Sequence, residues 1–174
     1  MKIYILTLLT LFAFFNCNGQ NASFGLNLSA FDHIDDRETG VAIGANIRAE
    51  ISNLFALQIG TDYLRSGTRN VLTEVTNRFN ETITISEAYN QSYLATHLSL
   101  IVKVFKLKGL SADFSIGTGI IKDSRKIWLL YRNELFFSTQ ITKHITAGIP
   151  LVFNVVTWRR DILYTAGFSI RYHY

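Results

Sequence analysis

Cysteine, proline and methionine occur once each in this 174-residue chain. Each scarcity excludes something. A lone cysteine, Cys17, supports no disulfide framework and no cysteine-based metal site. The lone proline, Pro150, must sit where a sheet can spare one ladder donor. Charged residues make up only 17% of the chain, and Lys and Arg are scattered singly. With a net charge of +4 and no basic stripe, a nucleic-acid partner is excluded. Beyond residue 15 no apolar run approaches the roughly 18 residues of a membrane helix. No stretch keeps helical spacing over several turns. Phosphate-binding glycine loops, metal dyads and nucleophile elbows are absent, so no metal and no cofactor is expected.

The N-terminus reads as a secretory signal. Lys2 supplies the positive start, and Ile3 to Phe15 form an apolar stretch too short to span a bilayer. Cleavage after Gly19 places Cys17 and Gly19 at the two small-residue positions. Residues 1–19 are then the signal peptide and 20–174 one domain, short enough for a single core. The alternative is a lipoprotein signal with Cys17 acylated, although Asn16 stands where a small residue is usual.

What fills the domain is alternation. Hydrophobic residues reach 48% and fall at every second position in segment after segment. Phe24 to Ala30, Val41 to Ala49, Phe55 to Tyr63 and Leu94 to Val104 each carry the pattern. Ala112 to Ile120, Leu129 to Phe137, Ile145 to Phe153 and Tyr164 to Tyr174 bring the number to eight. A period of two puts alternate side chains on opposite faces of a strand. The connections at Ser52-Asn53, Lys106 to Gly109 and Thr142-Lys143 are tight. Those at Asp32 to Thr39, Ser66 to Asn90, Ile121 to Lys126 and Thr157 to Asp161 are longer. Such asymmetry suits an outer-membrane barrel with periplasmic turns. Val71, Val75, Ile83 and Ile85 suggest that strands three and four extend as a hairpin, with a ninth and tenth strand as the alternative.

The polar face decides which way the barrel turns. A soluble lipocalin-like binder would carry its apolar face inside. Here Gly25, Gly44, Gly60, Gly117, Gly119, Gly148 and Gly167 share the polar face, together with a few long charged residues. A solvent-facing surface has no need of small residues, whereas an eight-stranded lumen is just wide enough for side chains to fill. The charges Arg48, Lys103, Arg132 and Arg171 balance Glu50, Asp62, Asp113 and Glu134. In a narrow lumen they have to pair, because an unpaired buried charge costs several kcal/mol. The expected architecture is all-β: a closed, eight-stranded, antiparallel up-and-down transmembrane barrel with a plugged lumen. Asn133 interrupts the lipid-facing set. Tyr63, Trp128, Tyr131, Trp158 and Tyr164 near the loop ends, and Tyr172 and Tyr174 at the other, suit aromatic girdles.

Two resemblances follow. The alternating end Tyr164 to Tyr174, with Phe168, Ile170, Tyr172 and Tyr174 on one face, resembles the C-terminal signature that barrel insertion machinery reads. Tyr93-Leu94-Ala95-Thr96-His97-Leu98-Ser99-Leu100-Ile101-Val102-Lys103, followed by Gly117-Thr118-Gly119, resembles the central strands of the PorT-type outer-membrane β-barrel domain family. Ala95 and His97 replace that pattern's Glu and Pro. The resemblance implies a small OmpX- or OmpA-like barrel in the cell outer membrane of a Gram-negative bacterium. It implies no activity.

The function expected is a structural or interaction role through the outer loops. Outer-membrane lipid and lipopolysaccharide surround the barrel, which is expected to be a monomer. An external protein or ligand would meet the segment 66–90. Arg65, Arg69, Arg125, Lys126, Arg159 and Arg160 at the loop-side ends could pair with lipopolysaccharide phosphates. One alternative is a lipid-modifying enzyme. His97 and Ser99 resemble the His-x-Ser pair of lipid A deacylases, but they share the lumen face with Lys103, where hydrogen bonding is the expected role. A narrow channel is a further alternative. The acidic loop Asp32 to Glu38 lacks the spacing and glycine of a calcium site.

Overall fold

The computed structural model describes residues 22–33, 38–67, 69–76, 82–89, 91–123, 126–157 and 161–174; of residues 33, 38, 69–76, 82–89 and 161 it describes the backbone alone. The expected signal at 1–19, with Cys17, lies outside the described residues, as do Arg125, Trp158, Arg159 and Arg160.

Eight strands close a barrel: β1 (Ala22–His33), β2 (Glu38–Glu50), β3 (Phe55–Ser66), β6 (Ser92–Leu107), β7 (Leu110–Lys122), β8 (Ile127–Gln140), β9 (Ile145–Val156) and β10 (Asp161–His173). Every neighbouring pair is antiparallel. The barrel is sealed by β1 against β10, from Ser23↔His173 to His33↔Leu163. Closure removes the unpaired edges that an open sheet would offer to other chains. The remaining two strands, β4 (Arg69–Thr76) and β5 (Thr82–Tyr89), pair only with each other. They are therefore an extension of β3 and β6, not two more staves.

The barrel is inside out relative to a soluble one. Leu28, Ile43, Leu98, Ile116 and Ile170 are exposed on its outer surface, whereas Arg48, Arg132, Arg171 and Asp113 are buried within. Each large apolar side chain left in water would forgo about 1.5–3 kcal/mol. Hydrocarbon around the barrel removes that cost, and the lipocalin-like alternative fails on this observation. Asn133 sits half-buried in the outer set, beside Ile116 and Phe153.

Local chemistry accounts for the turns. Lys108 and Gly109 both have positive φ, 41° and 90°, and join β6 to β7 in the conformation that tight hairpins favour. The turns 51–54 and 141–144 share one device. Ser52 Oγ accepts hydrogen bonds from the Leu54 and Phe55 amides, and Thr142 Oγ1 accepts from those of His144 and Ile145. A β-bulge between Lys103 and Phe105 leaves Val104 and Phe105 both exposed. Across from it Ala112, assigned by alternation to the outer face, is buried. The β9–β10 register passes from Ala166↔Leu151 to Ser169↔Gly148, and Pro150 stands in that gap.

Three connections expected to be long are short. Strands run on until four residues remain between them, at 34–37, 123–126 and 157–160. Polar pairs such as Asp32↔Thr39 continue the ladder past the apolar belt. Beyond the membrane a strand needs no apolar face, so alternation stops before the strand does. Only 67–91 breaks the symmetry between the two ends. Its base is fastened by Ser66, whose amide donates to the Gln91 carbonyl at 2.9 Å while its Oγ accepts the Gln91 amide at 2.8 Å. The Gly67 amide donates to the Thr39 carbonyl at 2.9 Å, which ties the hairpin base to β2.

Candidate functional site

The lumen has three levels. At the loop end each of seven strands turns one large apolar residue inward: Phe31, Leu64, Tyr93, Ile121, Leu130, Val156 and Leu163. Leu130 is 0% exposed and Leu64 2%, so this level is a dry plug. Gly40 makes room for it, because a Cβ there would lie 2.6 Å from the Phe31 ring. Trp128 packs against this cluster. Its assignment to the outer aromatic girdle is therefore corrected: it has the parity of Leu130, not of Leu129. The outer girdle retains Tyr63, Tyr131 and Tyr164 at the loop end, with Tyr172 and Tyr174 at the turn end, all exposed.

Below the plug lies a charge cluster. Arg132 donates to Asp62 Oδ2 at 2.8 Å across the lumen and to Glu134 Oε2 at 3.0 Å beside it. His97 Nδ1 is 3.8 Å from the same Asp62 oxygen, and neither ring nitrogen makes a hydrogen bond. Glycine supplies the space. A Cβ on Gly60 would meet the His97 ring at 2.6 Å, and one on Gly44 would collide with Asp62. Ser99, fully buried, lies two ladder pairs from His97 on the same face, against Gly117. Both candidate catalytic residues thus point into the barrel. A group that acts on a membrane lipid has to touch it, and these are sealed from the outer surface.

At the turn end Arg48 pairs with Asp113 and, through Nε, with Glu50 at 2.8 Å. Lys103 completes this chain on Glu50 and donates to the Ser52 carbonyl at 3.3 Å. Arg171, also buried, stands apart: its guanidinium lies 4.5 Å over the Phe136 ring and its Nε has no partner. All eight charged residues read as lumen-facing thus lie inside, in two clusters with Arg171 on its own. The sequence reading missed the apolar plug. Its signal was present, since Leu64, Leu130 and Leu163 share parity with Asp62, Arg132 and Thr165.

Cavities follow the same division. Between the plug and Arg132, and again between Glu134 and Arg171, the space amounts to about 10 Å³, room for about one water. At the turn end the lumen widens into a vestibule of about 760 Å³. Among the described residues no group of three or more His, Cys, Asp and Glu is placed to hold a metal.

No family model matches the chain, and no curated protein matches it by sequence. Solved structures do match by shape. Neisserial surface protein A aligns with a TM-score of 0.60 at 10% identity, over 90% of this chain and 97% of that one. The N-terminal β-barrel domain of Pseudomonas aeruginosa OprF aligns at 0.58 with 12% identity, over 89% and 99%. The outer-membrane enzyme PagL aligns at 0.54 with 6% identity, over 85% and 98%. At such identities the likeness is one of fold. Together with the apolar outer face it defines the class: a small eight-stranded outer-membrane β-barrel. That fold is shared by an enzyme and by barrels of other kinds, so it selects no activity.

Proposed function

We propose that this protein is a structural and interaction barrel of the PorT type, whose partner meets the β4–β5 hairpin from outside the cell. The observation that carries this reading is the division of labour in the chain. The lumen is closed by the plug at the loop end, and the one long excursion is a paired hairpin fastened at its base by Ser66 and Gln91. A rigid base positions a projecting surface, and long ordered connections are commonly functional. Exposed Arg65 and Lys126, at loop-side strand ends, can hold lipopolysaccharide phosphates by charge-assisted hydrogen bonds. Phe168, Ile170, Tyr172 and Tyr174 form the outward row that insertion machinery reads.

The test places a photo-crosslinking residue at position 75 or 83 in whole cells, with position 108 in a turn as control. A discrete adduct from the hairpin alone is the expected result. Adduct from neither hairpin position, or stepwise conductance in planar bilayers, would overturn the reading. Lipid A mass spectra are expected to be unchanged by Ser99→Ala. Removing Tyr174 is expected to lower the heat-shifted, assembled fraction on a gel.

A further inference from the structure

The vestibule at the turn end is chemically unlike the rest of the lumen. Its wall carries five cationic side chains, Arg48, Lys103, Lys106, Lys143 and Arg171. Only two carboxylate side chains, Glu50 and Asp113, face them, and both are engaged by Arg48. Arg171 is the deepest departure from balance. It is 4% exposed, its Nε has no hydrogen-bond partner, and its guanidinium lies over the face of Phe136; it shares a small cavity with Glu134 and Asp113 but forms an ion pair with neither. A buried guanidinium is costly when no anion accompanies it. Elsewhere in this lumen every buried arginine has a carboxylate: Arg132 has Asp62 and Glu134, and Arg48 has Asp113 and Glu50. The exception borders the only large space among the cavities described above, about 760 Å³, within the range of small-molecule sites.

We propose that this vestibule binds a small, multiply charged anion of the phosphate class, with Arg171 as its principal ligand. The planar guanidinium presents forked donors that match phosphate oxygens, and Lys103, Lys106 and Lys143 supply further positive charge around it. A singly charged anion would leave most of that excess unmatched. With the turns in the periplasm, as the sequence reading expects, the ligand is drawn from that side. The site is independent of the external hairpin, at the opposite end of the barrel.

Calorimetric titration of the folded barrel in octyl glucoside with inorganic pyrophosphate tests the site, since this detergent carries no phosphate. Saturable one-site binding is expected, weakened at least tenfold by Arg171→Gln and also weakened by Lys143→Glu in the exposed turn. Lys143→Glu keeps the test decisive if Arg171→Gln loses its heat-dependent gel shift. Competition with short-chain phosphatidic acid assigns the source: displacement points to a lipid headgroup, and its absence to a free phosphate compound. No saturable binding by the unmodified protein, or equal affinity in a folded Arg171→Gln, would refute the proposal.

Discussion

The two ends of the lumen solve one problem in opposite ways. At the loop end, seven largely apolar side chains exclude water, and the one hydroxyl among them, on Tyr93, donates to Gln91 Oε1. At the turn end, charged side chains line an open space, and five cationic side chains face two carboxylate side chains. Between them Arg132 holds two carboxylates, Asp62 and Glu134, so that cluster has one negative charge in excess. The comparison teaches that a filled lumen is not uniform. Dry packing closes the loop end, paired charges brace the middle, and the turn end stays open.

Five substitutions break or sharpen this contrast. Arg132→Ala strands Asp62 and Glu134 in a space with room for about one water, and a loss of about 3–5 kcal/mol is expected, read as a lower urea midpoint. Leu130→Ala opens a hole in the plug and is expected to cost about 2–5 kcal/mol in the same assay. Arg171→Met should behave unlike Arg132→Ala, because it orphans no carboxylate. A change within about 1 kcal/mol is expected, the lost ring contact being offset by relief of an unpaired charge. A loss as large as that of Arg132→Ala would show that Arg171 braces the barrel. Least disruptive is a labelling pair. Ser111→Cys on the vestibule wall should react with a water-soluble maleimide in the folded barrel, and Leu64→Cys in the plug should not.

Much of this was legible in the chain because β-barrels write their orientation with a period of two. The parity of Arg48, Asp62, Asp113 and Arg132 placed all four on one face, and glycine on that face argued for confinement. Gly60 against His97 and Gly44 against Asp62 are the physical content of that argument. Less was legible where the solvent stops dictating alternation. The ladder continues through Asp32↔Thr39 with polar residues on both faces, so three connections looked longer than they are. Trp128 was misplaced because an aromatic near a strand end suits either a girdle or a plug, and only its neighbours distinguish them.

The sequence by itself determined the eight alternating segments and which residues share a face, because both depend on local periodicity. The structure settled eight staves over ten and turned the apolar face outward. Tertiary structure decided who pairs with whom. Arg132 reaches Asp62 across 70 positions of chain, and Arg48 reaches Asp113 across 65, because closure of the barrel brings distant strands to one axis. Closure also left Arg171 without an ion pair, although Glu134 and Asp113 line the same small cavity and the eight lumen charges balance in number. Charge balance can be counted along a chain, but ion pairing depends on distance, and distance exists only in the folded barrel.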